Sequence, residues 1–94
     1  MKEMEFRVVE KEKNELTLEV INPDRTLLIP LVEELNKDEM VELAKYHFDH
    51  PYQENPILYV KVKSGKPQAA IKRAAKRLEK VFEELEKELE KKLK

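Results

Sequence analysis

Two stretches of the chain alternate apolar and polar residues in the manner of half-buried strands. In the first, single polar residues separate Leu16, Leu18 and Val20. Successive side chains of a strand point to opposite faces, so these three share one face of a sheet. A later stretch repeats this alternation, and two weaker patterns predict further strands. The four predicted strands span residues 6–10, 16–21, 41–48 and 57–63.

After the second strand, the apolar residues no longer alternate with polar ones and instead recur with the period of a helix. Four apolar residues there recur at i, i+3, i+4 and i+7, which places them on one side of a helix. They are Leu28, Leu31, Val32 and Leu35. Pro30 lacks the N–H that a helix interior requires. Either Asp24 or Thr26 can be the N-cap. With Thr26 as N-cap, Pro30 lies at the end of the first turn and loses only one hydrogen bond, so we expect the helix to begin at Thr26 and to end at residues 36–38.

The last segment, residues 67–93, has the pattern of one long helix. It begins at Pro67, a favoured first helical residue, and its apolar residues are spaced as a heptad seam. The seam consists of Ile71, Ala75, Leu78, Phe82, Leu85 and Leu89. At 1.5 Å per residue the helix is roughly 40 Å long, more than a small sheet can cover. Packing on its own sheet is one interpretation of the seam, and an intermolecular interface, favoured by its length, is the other.

The order of the predicted elements is strand, strand, helix, strand, strand, helix. This order predicts the α+β fold class: a four-stranded, mainly antiparallel sheet with two helices on one face, the C-terminal helix being long. With 94 residues and no internal repeat, the chain is expected to form a single domain over residues 1–94.

Composition excludes several classes of function. Charged residues form 41% of the chain, but its net charge is only −1, which argues against a nucleic-acid or membrane binder as a whole. The chain has no Cys, so it forms no disulfide and has no thiolate ligand or nucleophile. No apolar run approaches the ~18–20 residues that span a bilayer. We therefore expect a soluble, cytoplasmic protein without a membrane partner.

Few side chains are available for catalysis or metal binding. His47 and His50 flank Asp49, but residues i and i+3 of a strand point to opposite faces and do not easily share one metal ion. Ser64, the only serine, lies in a turn without the context of a nucleophile elbow. The single Gly rules out a phosphate-cradling loop. We expect no catalytic residue, no metal site and no cofactor.

Cations are concentrated in the first half of the last helix, where they oppose the helix dipole. They include Lys72, Arg73, Lys76, Arg77 and Lys80. One interpretation is a surface for nucleic acid or an acidic partner, and the other is a solvated helix face. The absence of aromatic residues among these cations favours the solvated face.

Several short motifs together resemble the archaeal RNA polymerase subunit L family. The shared pattern is a strand hairpin, an acidic helix entry, an Ala- and Tyr-containing strand, a His-Pro corner and a Pro-capped last helix. In this sequence it falls at residues 14–19, 24–27 and 44–46, and at Val41, His50, Pro51, Pro56, Gly65 and Pro67. The resemblance covers roughly residues 5–80. The sequence departs from it at Asn22-Pro23, where the family has a glycine-like turn, at Arg25, usually His, and at Pro30.

The resemblance implies a non-catalytic assembly subunit of an archaeal DNA-directed RNA polymerase. That family is similar to the eleventh subunit of eukaryotic polymerase II and to the dimerisation domain of bacterial alpha. The chain would form a heterodimer with the D subunit of the RNA polymerase, and this heterodimer nucleates assembly of the large catalytic subunits. It would meet DNA only indirectly through the complex, and the isolated chain would be either a monomer or a homodimer.

Both helices are expected to carry the interface with the D subunit. The expected interface residues are Leu28, Leu31, Val32, Leu35, Ile71, Ala74, Leu78 and Phe82. The alternative, from a different class, is a stand-alone nucleic-acid-binding module that uses the five cations of the last helix. A salt-dependent affinity of the isolated chain for DNA would distinguish the two.

Overall fold

The computed structural model describes residues 4–48 and 55–93. It contains four strands and two helices in the predicted order. They are β1 (Glu5–Lys11), β2 (Glu15–Ile21), α1 (Arg25–Lys37), β3 (Val41–His47), β4 (Ile57–Val62) and α2 (Pro67–Leu93). The chain order and element types confirm the α+β prediction, and the long C-terminal helix spans the predicted residues.

The four strands form one antiparallel sheet in the order β1-β2-β4-β3. The alternating apolar residues of β2 and β4 are buried on one face, as predicted. They also pair across the ladder, Leu18 with Leu58 and Leu16 with Val60. β3 is shorter than predicted and ends at His47, the last residue paired with β4, so that Phe48 lies outside the ladder. β1 extends one residue beyond each predicted end.

The hydrophobic core lies between one face of the sheet and both helices. β2 and β4 supply six of its side chains, with Val41 and Ala44 from β3. α1 contributes Leu28, Leu31 and Leu35 to this hydrophobic core, whereas α2 contributes only Ala70 and Ala74. The helices pack over β2, β3 and β4 and leave β1 largely uncovered.

The helix α1 begins earlier than predicted, because Asp24 and not Thr26 is its N-cap. The Asp24 carboxylate accepts a hydrogen bond from the Thr26 N–H at 3.0 Å, and the Asp24 carbonyl accepts one from the Leu28 N–H at 2.8 Å. Pro30 therefore lies in the second turn, and the helix continues through it at the loss of one backbone hydrogen bond. Asn22 precedes this start with φ 55°, a left-handed conformation that Asn tolerates.

Both edges of the sheet carry features that oppose the addition of further strands. The register of β1 shifts by one residue between Val8 and Glu10, and that of β3 shifts between Val41 and Leu43. On the β3 edge, the Asn36 side chain of α1 donates to the Ala44 carbonyl and accepts from the Ala44 N–H, each at 2.9 Å. Asn36 thus occupies the backbone groups that another strand would use.

The helix α2 extends past the body of the domain. Its buried residues all lie in the first eight positions, and every residue from Glu79 to Leu93 is exposed. Neither α1 nor α2, the helices of the described residues, has the apolar length needed to cross a membrane.

Candidate functional site

An open apolar groove lies where α1 and α2 meet the uncovered side of β1. The groove has a volume of about 320 Å³. Eight of its nine lining residues are apolar, and the ninth is Glu79. The apolar residues come from β1 and the residue before it, from α1, and from α2. They are Met4, Phe6, Leu27, Leu31, Ile71, Ala75, Leu78 and Phe82.

The groove exists because β1 has no helix above it. Phe6 pairs with Val20 across the ladder and Val8 pairs with Leu18, so both side chains lie on the face that the helices cover elsewhere. Val20 is fully buried, but Phe6 remains 42% exposed and Val8 57% exposed. The apolar face of the sheet is thus wider than the helices that cover it.

Beyond the groove, the apolar stripe continues along the projecting half of α2. Phe82 is 43% exposed, Leu85 53% and Leu89 49%. Their spacing of three and four residues keeps them on one side of the helix. Isolated apolar side chains on a surface are ordinary, but a continuous stripe that joins a groove is typical of a protein-binding surface.

The structure separates the predicted interface residues into two groups. Leu28, Leu35 and Ala74 have no exposed surface, and Leu31 is 7% exposed at the floor of the groove. The first three therefore support the surface from below and offer a partner no contact area. The residues with accessible surface are Val32, Ile71, Leu78 and Phe82.

Sequence reasoning missed Met4, Phe6 and Leu27 as groove residues. Leu27 lies one residue before the predicted α1 stripe, and its side chain falls on the flank that faces α2. Phe6 and Val8 alternate in β1, which was a detectable signal for a strand face. The sequence did not show that this face lacks a helix, because that depends on the strand order.

Two of the five cations in the predicted basic patch are bound within the chain. The Arg73 guanidinium donates through Nε to Asp38 at 2.9 Å, and Arg77 donates through Nε to Glu34 at 3.0 Å. Arg77 also donates to the Glu34 carbonyl at 3.1 Å. Lys72, Lys76 and Lys80 remain exposed.

These pairs hold both carboxylates in the charged form. The hydrogen bond from Arg73, together with one from the Met40 N–H, lowers the pKa of Asp38 below its usual 3.8. The hydrogen bond from Arg77, with a smaller contribution from Lys37, lowers the pKa of Glu34 below its usual 4.5. The Asp38 side chain is only 7% exposed and that of Glu34 17%.

The opposite face of the sheet carries a polar network. The Tyr59 hydroxyl donates to Glu15 at 2.7 Å, which raises the pKa of Tyr59 to about 12 and lowers that of Glu15. Lys61 lies 3.2 Å from Glu42 on the same face. A phenol with so high a pKa stays protonated near neutral pH, so it is poorly suited to act as a general base there.

No cluster of three or more His, Asp or Glu side chains that could hold a metal ion exists among residues 4–48 and 55–93. His47 is exposed at the end of β3. Asp49 and His50 lie outside the described residues, so the prediction about the His-Phe-Asp-His sequence stays a prediction.

Comparisons with known proteins identify a family. Residues 15–88 match the family model of the RNA polymerase Rpb3/Rpb11 dimerisation domain. DNA-directed RNA polymerase subunit Rpo11 of Thermoplasma acidophilum is 58% identical over 72 residues, which are 77% of this chain and 65% of that protein. The match to this relative thus spans slightly less than two thirds of its length. Subunit Rpo11 of Picrophilus torridus is 50% identical over 74 residues, 79% of this chain and 74% of that protein.

A solved structure is similar over almost the whole chain. The crystal structure of DNA-directed RNA polymerase subunit L from Thermoplasma acidophilum superposes with a TM-score of 0.85 at 52% identity. The superposition covers 97% of this chain and 90% of the other. The resemblance found in the sequence motifs is thereby confirmed.

Proposed function

Because this chain belongs to the RNA polymerase Rpb3/Rpb11 dimerisation domain family, we propose that it is a non-catalytic subunit of an archaeal DNA-directed RNA polymerase. In this proposal it forms a one-to-one heterodimer with the polymerase's D subunit, and the heterodimer supports assembly of the large catalytic subunits. Its contribution is a surface for pairing, and the nucleotidyl transfer itself belongs to other subunits.

The observation that carries the proposal is the continuous apolar surface from the groove to the end of α2. Stable hetero-complexes bury large interfaces that resemble a domain core cut in half. Phe82 lies where the groove meets the projecting helix, 43% exposed, and is the expected anchor of the interface. The buried predicted residues, Leu28, Leu35 and Ala74, shape this surface from below.

The nucleic-acid alternative loses support from the placement of the cations. Arg73 and Arg77 face carboxylates of α1, which leaves three lysines of the five predicted cations for phosphate contacts. Few phosphate contacts give weak binding that salt readily abolishes. We therefore expect contact with DNA only through the assembled polymerase.

Co-expression with the D subunit followed by size-exclusion chromatography tests the proposal. We expect the two chains to co-elute in a one-to-one ratio at micromolar concentration. The variant Phe82→Asp should weaken the complex about 30-fold or more, because the interface would desolvate a carboxylate at a site of large apolar burial.

Lys76→Asp is the matched control, since it introduces the same side chain on another side of α2. We expect this variant to co-elute with the D subunit as the unaltered chain does. Separate elution of the folded chain and the folded D subunit would contradict the proposal. Equal loss of binding in both variants would instead indicate a general effect of the added charge and contradict the assigned surface.

A further inference from the structure

The two arginine–carboxylate pairs between the helices have a role that their sequence positions do not suggest. We propose that Arg73–Asp38 and Arg77–Glu34 form a two-rung latch that fixes the direction of α2, so that the groove is preformed for its partner. The inference rests on the proposed function in one respect only, the identity of that partner. The four residues are positioning residues, because they act through α2 and do not themselves line the groove.

Apolar packing alone holds α2 weakly. Its fully buried side chains are Pro67, Ala70 and Ala74, which are small and offer little shape to interlock with the core. Ile71 and Leu78 are only partly buried. A long helix held by two alanines near one end has little resistance to pivoting about them, and from Glu79 onward every residue is exposed.

The two pairs and the groove lie on opposite flanks of α2. At 100° per residue, Ala70 and Ala74 form the central stripe of the helix. Ile71, Ala75 and Leu78 fall on one flank of this stripe and line the groove. Arg73 and Arg77 fall on the other flank and contact α1. Rotation or tilt of α2 about the alanine stripe would therefore change the groove and the arginine contacts together.

The spacing of the paired residues matches between the two helices. Glu34 of α1 and the C-cap residue Asp38 are four residues apart, as Arg73 and Arg77 are on α2. The two pairs run in opposite order along the chain. Two contacts one helical turn apart define a direction, whereas a single contact permits a pivot. Arg77 adds a second bond to the Glu34 carbonyl, and its planar guanidinium holds both oxygens in fixed geometry.

The pairs also differ from ordinary surface ion pairs in their shielding from water. Exposed pairs contribute little because water and salt screen them. Here the arginine side chains are 41% exposed, but the Asp38 side chain is 7% exposed and also accepts the Met40 N–H at 2.9 Å. Charge-assisted bonds to a shielded carboxylate are both stronger and more directional.

The test measures the direction of α2 in the free chain. Because the protein has no Cys, spin labels attach only at Glu33→Cys on α1 and Glu83→Cys on the projecting part of α2. Pulsed electron resonance then gives the distribution of distances between them. We expect a narrow distribution in the otherwise unaltered protein and a clearly broader one in R73Q/R77Q.

Binding to the D subunit gives the second readout, by titration calorimetry on unlabelled protein. We expect R73Q/R77Q to keep its circular dichroism spectrum while its Kd rises about 10-fold, a cost of ordering the helix on binding. K72Q/K76Q removes the same charge from the same helix and should leave both readouts unchanged. The variant E34R/R77E exchanges the two charged partners and keeps an attractive contact between the helices. Its distribution of spin-label distances should therefore be closer to that of the unaltered chain than the distribution of R73Q/R77Q is.

Three results would overturn the latch. One is an unchanged distance distribution in R73Q/R77Q with a Kd within about twofold of the original. Another is unfolding of R73Q/R77Q, because the pairs would then maintain the core itself. The third is equal broadening in K72Q/K76Q. The distance measurement does not involve the D subunit, so failure of the unaltered chain to bind that subunit would reject the proposed function and leave the latch to be decided by the distances.

Discussion

Asp38 combines three tasks in one side chain and its backbone. It is the C-cap residue of α1, it accepts the Met40 N–H, and it accepts the Arg73 guanidinium. Its sequence position, after Asn36-Lys37, indicates only the end of a helix. The partner in α2 lies 35 residues away, so no local pattern reveals that Arg73 is committed to this carboxylate.

Acid should therefore weaken the domain through these residues. A carboxylate whose pKa is lowered on folding stabilises the folded state above its unfolded pKa, and that stability is lost as the pH falls through the lowered value. For Glu34 and Asp38 the loss begins near their usual values of 4.5 and 3.8 and continues below them. We expect the free energy of unfolding, measured by urea titration, to fall as the pH drops below about 5.

The variant E34Q/D38N isolates this contribution. It should be less stable than the unaltered chain near neutral pH, and its free energy of unfolding should depend less on pH over the same acid range. Glu15 also has a lowered pKa, because of its bond from Tyr59, and remains in both proteins, so the difference between the two curves reports the helix pairs. Parallel curves would contradict the assignment.

At the scale of elements, the sequence predicted the sheet and helices better than it predicted their faces. Strict alternation in β2 and β4 leaves one arrangement that buries all six inward residues, so the prediction was confirmed. In α1, the apolar stripe was assigned to the partner interface, although the same pattern is equally compatible with packing on the chain's own sheet. The structure buries Leu28 and Leu35 completely, while Leu27, outside the stripe, faces the groove.

The start of α1 was predicted wrongly for a physical reason. Thr26 was favoured because it placed Pro30 near the end of the first turn, where a missing N–H costs least. The carboxylate of Asp24 is a better acceptor for the free N–H groups of the first turn, and it also binds the Thr26 hydroxyl at 2.5 Å. Capping by Asp24 and burial of Leu28 and Leu35 together stabilise the helix by more than one lost hydrogen bond costs.

The projecting half of α2 should be dispensable for folding and necessary for pairing. Residues 81–93 contribute nothing to the buried core. A chain that ends at Lys80 should keep the circular dichroism signal of its sheet, and its melting temperature should change by less than about 5 °C. Its affinity for the D subunit should fall about 100-fold or more, because Phe82, Leu85 and Leu89 are lost.

Calorimetric titration of the shortened chain with the D subunit checks this expectation. The informative comparison is a full-length chain with Leu85→Ser and Leu89→Ser, which keeps the helix length but removes much of its apolar stripe. Similar loss of affinity in both proteins would assign the effect to the stripe. Undiminished binding of the shortened chain would contradict the interface described above.

For the whole molecule, the groove and the stripe on α2 form one exposed apolar surface when no partner is bound. Its principal extents are 49 × 34 × 18 Å, so the domain is elongated, and the stripe lies along the projecting helix. We expect the isolated chain to associate with itself weakly through this surface. Its weight-average sedimentation coefficient should rise between about 10 µM and about 1 mM.

Salt provides the control for this self-association. Apolar association persists or strengthens as salt rises from about 0.1 M to about 1 M, whereas pairing through the mixed charges of α2 would weaken. Phe82→Asp should keep the chain monomeric over the same range of concentration. A sedimentation coefficient that does not change with concentration in the unaltered chain would contradict this expectation.

The amide of Asn36 has a consequence for how such a chain fails when no partner is present. A small sheet with an open apolar face can nucleate fibrils, which grow when strands of successive molecules add to an unprotected edge strand. Here the amide occupies the Ala44 backbone groups on one border, and a bulge distorts the other. We therefore expect any self-association of the chain to use side-chain contacts along the helices and to reverse on dilution.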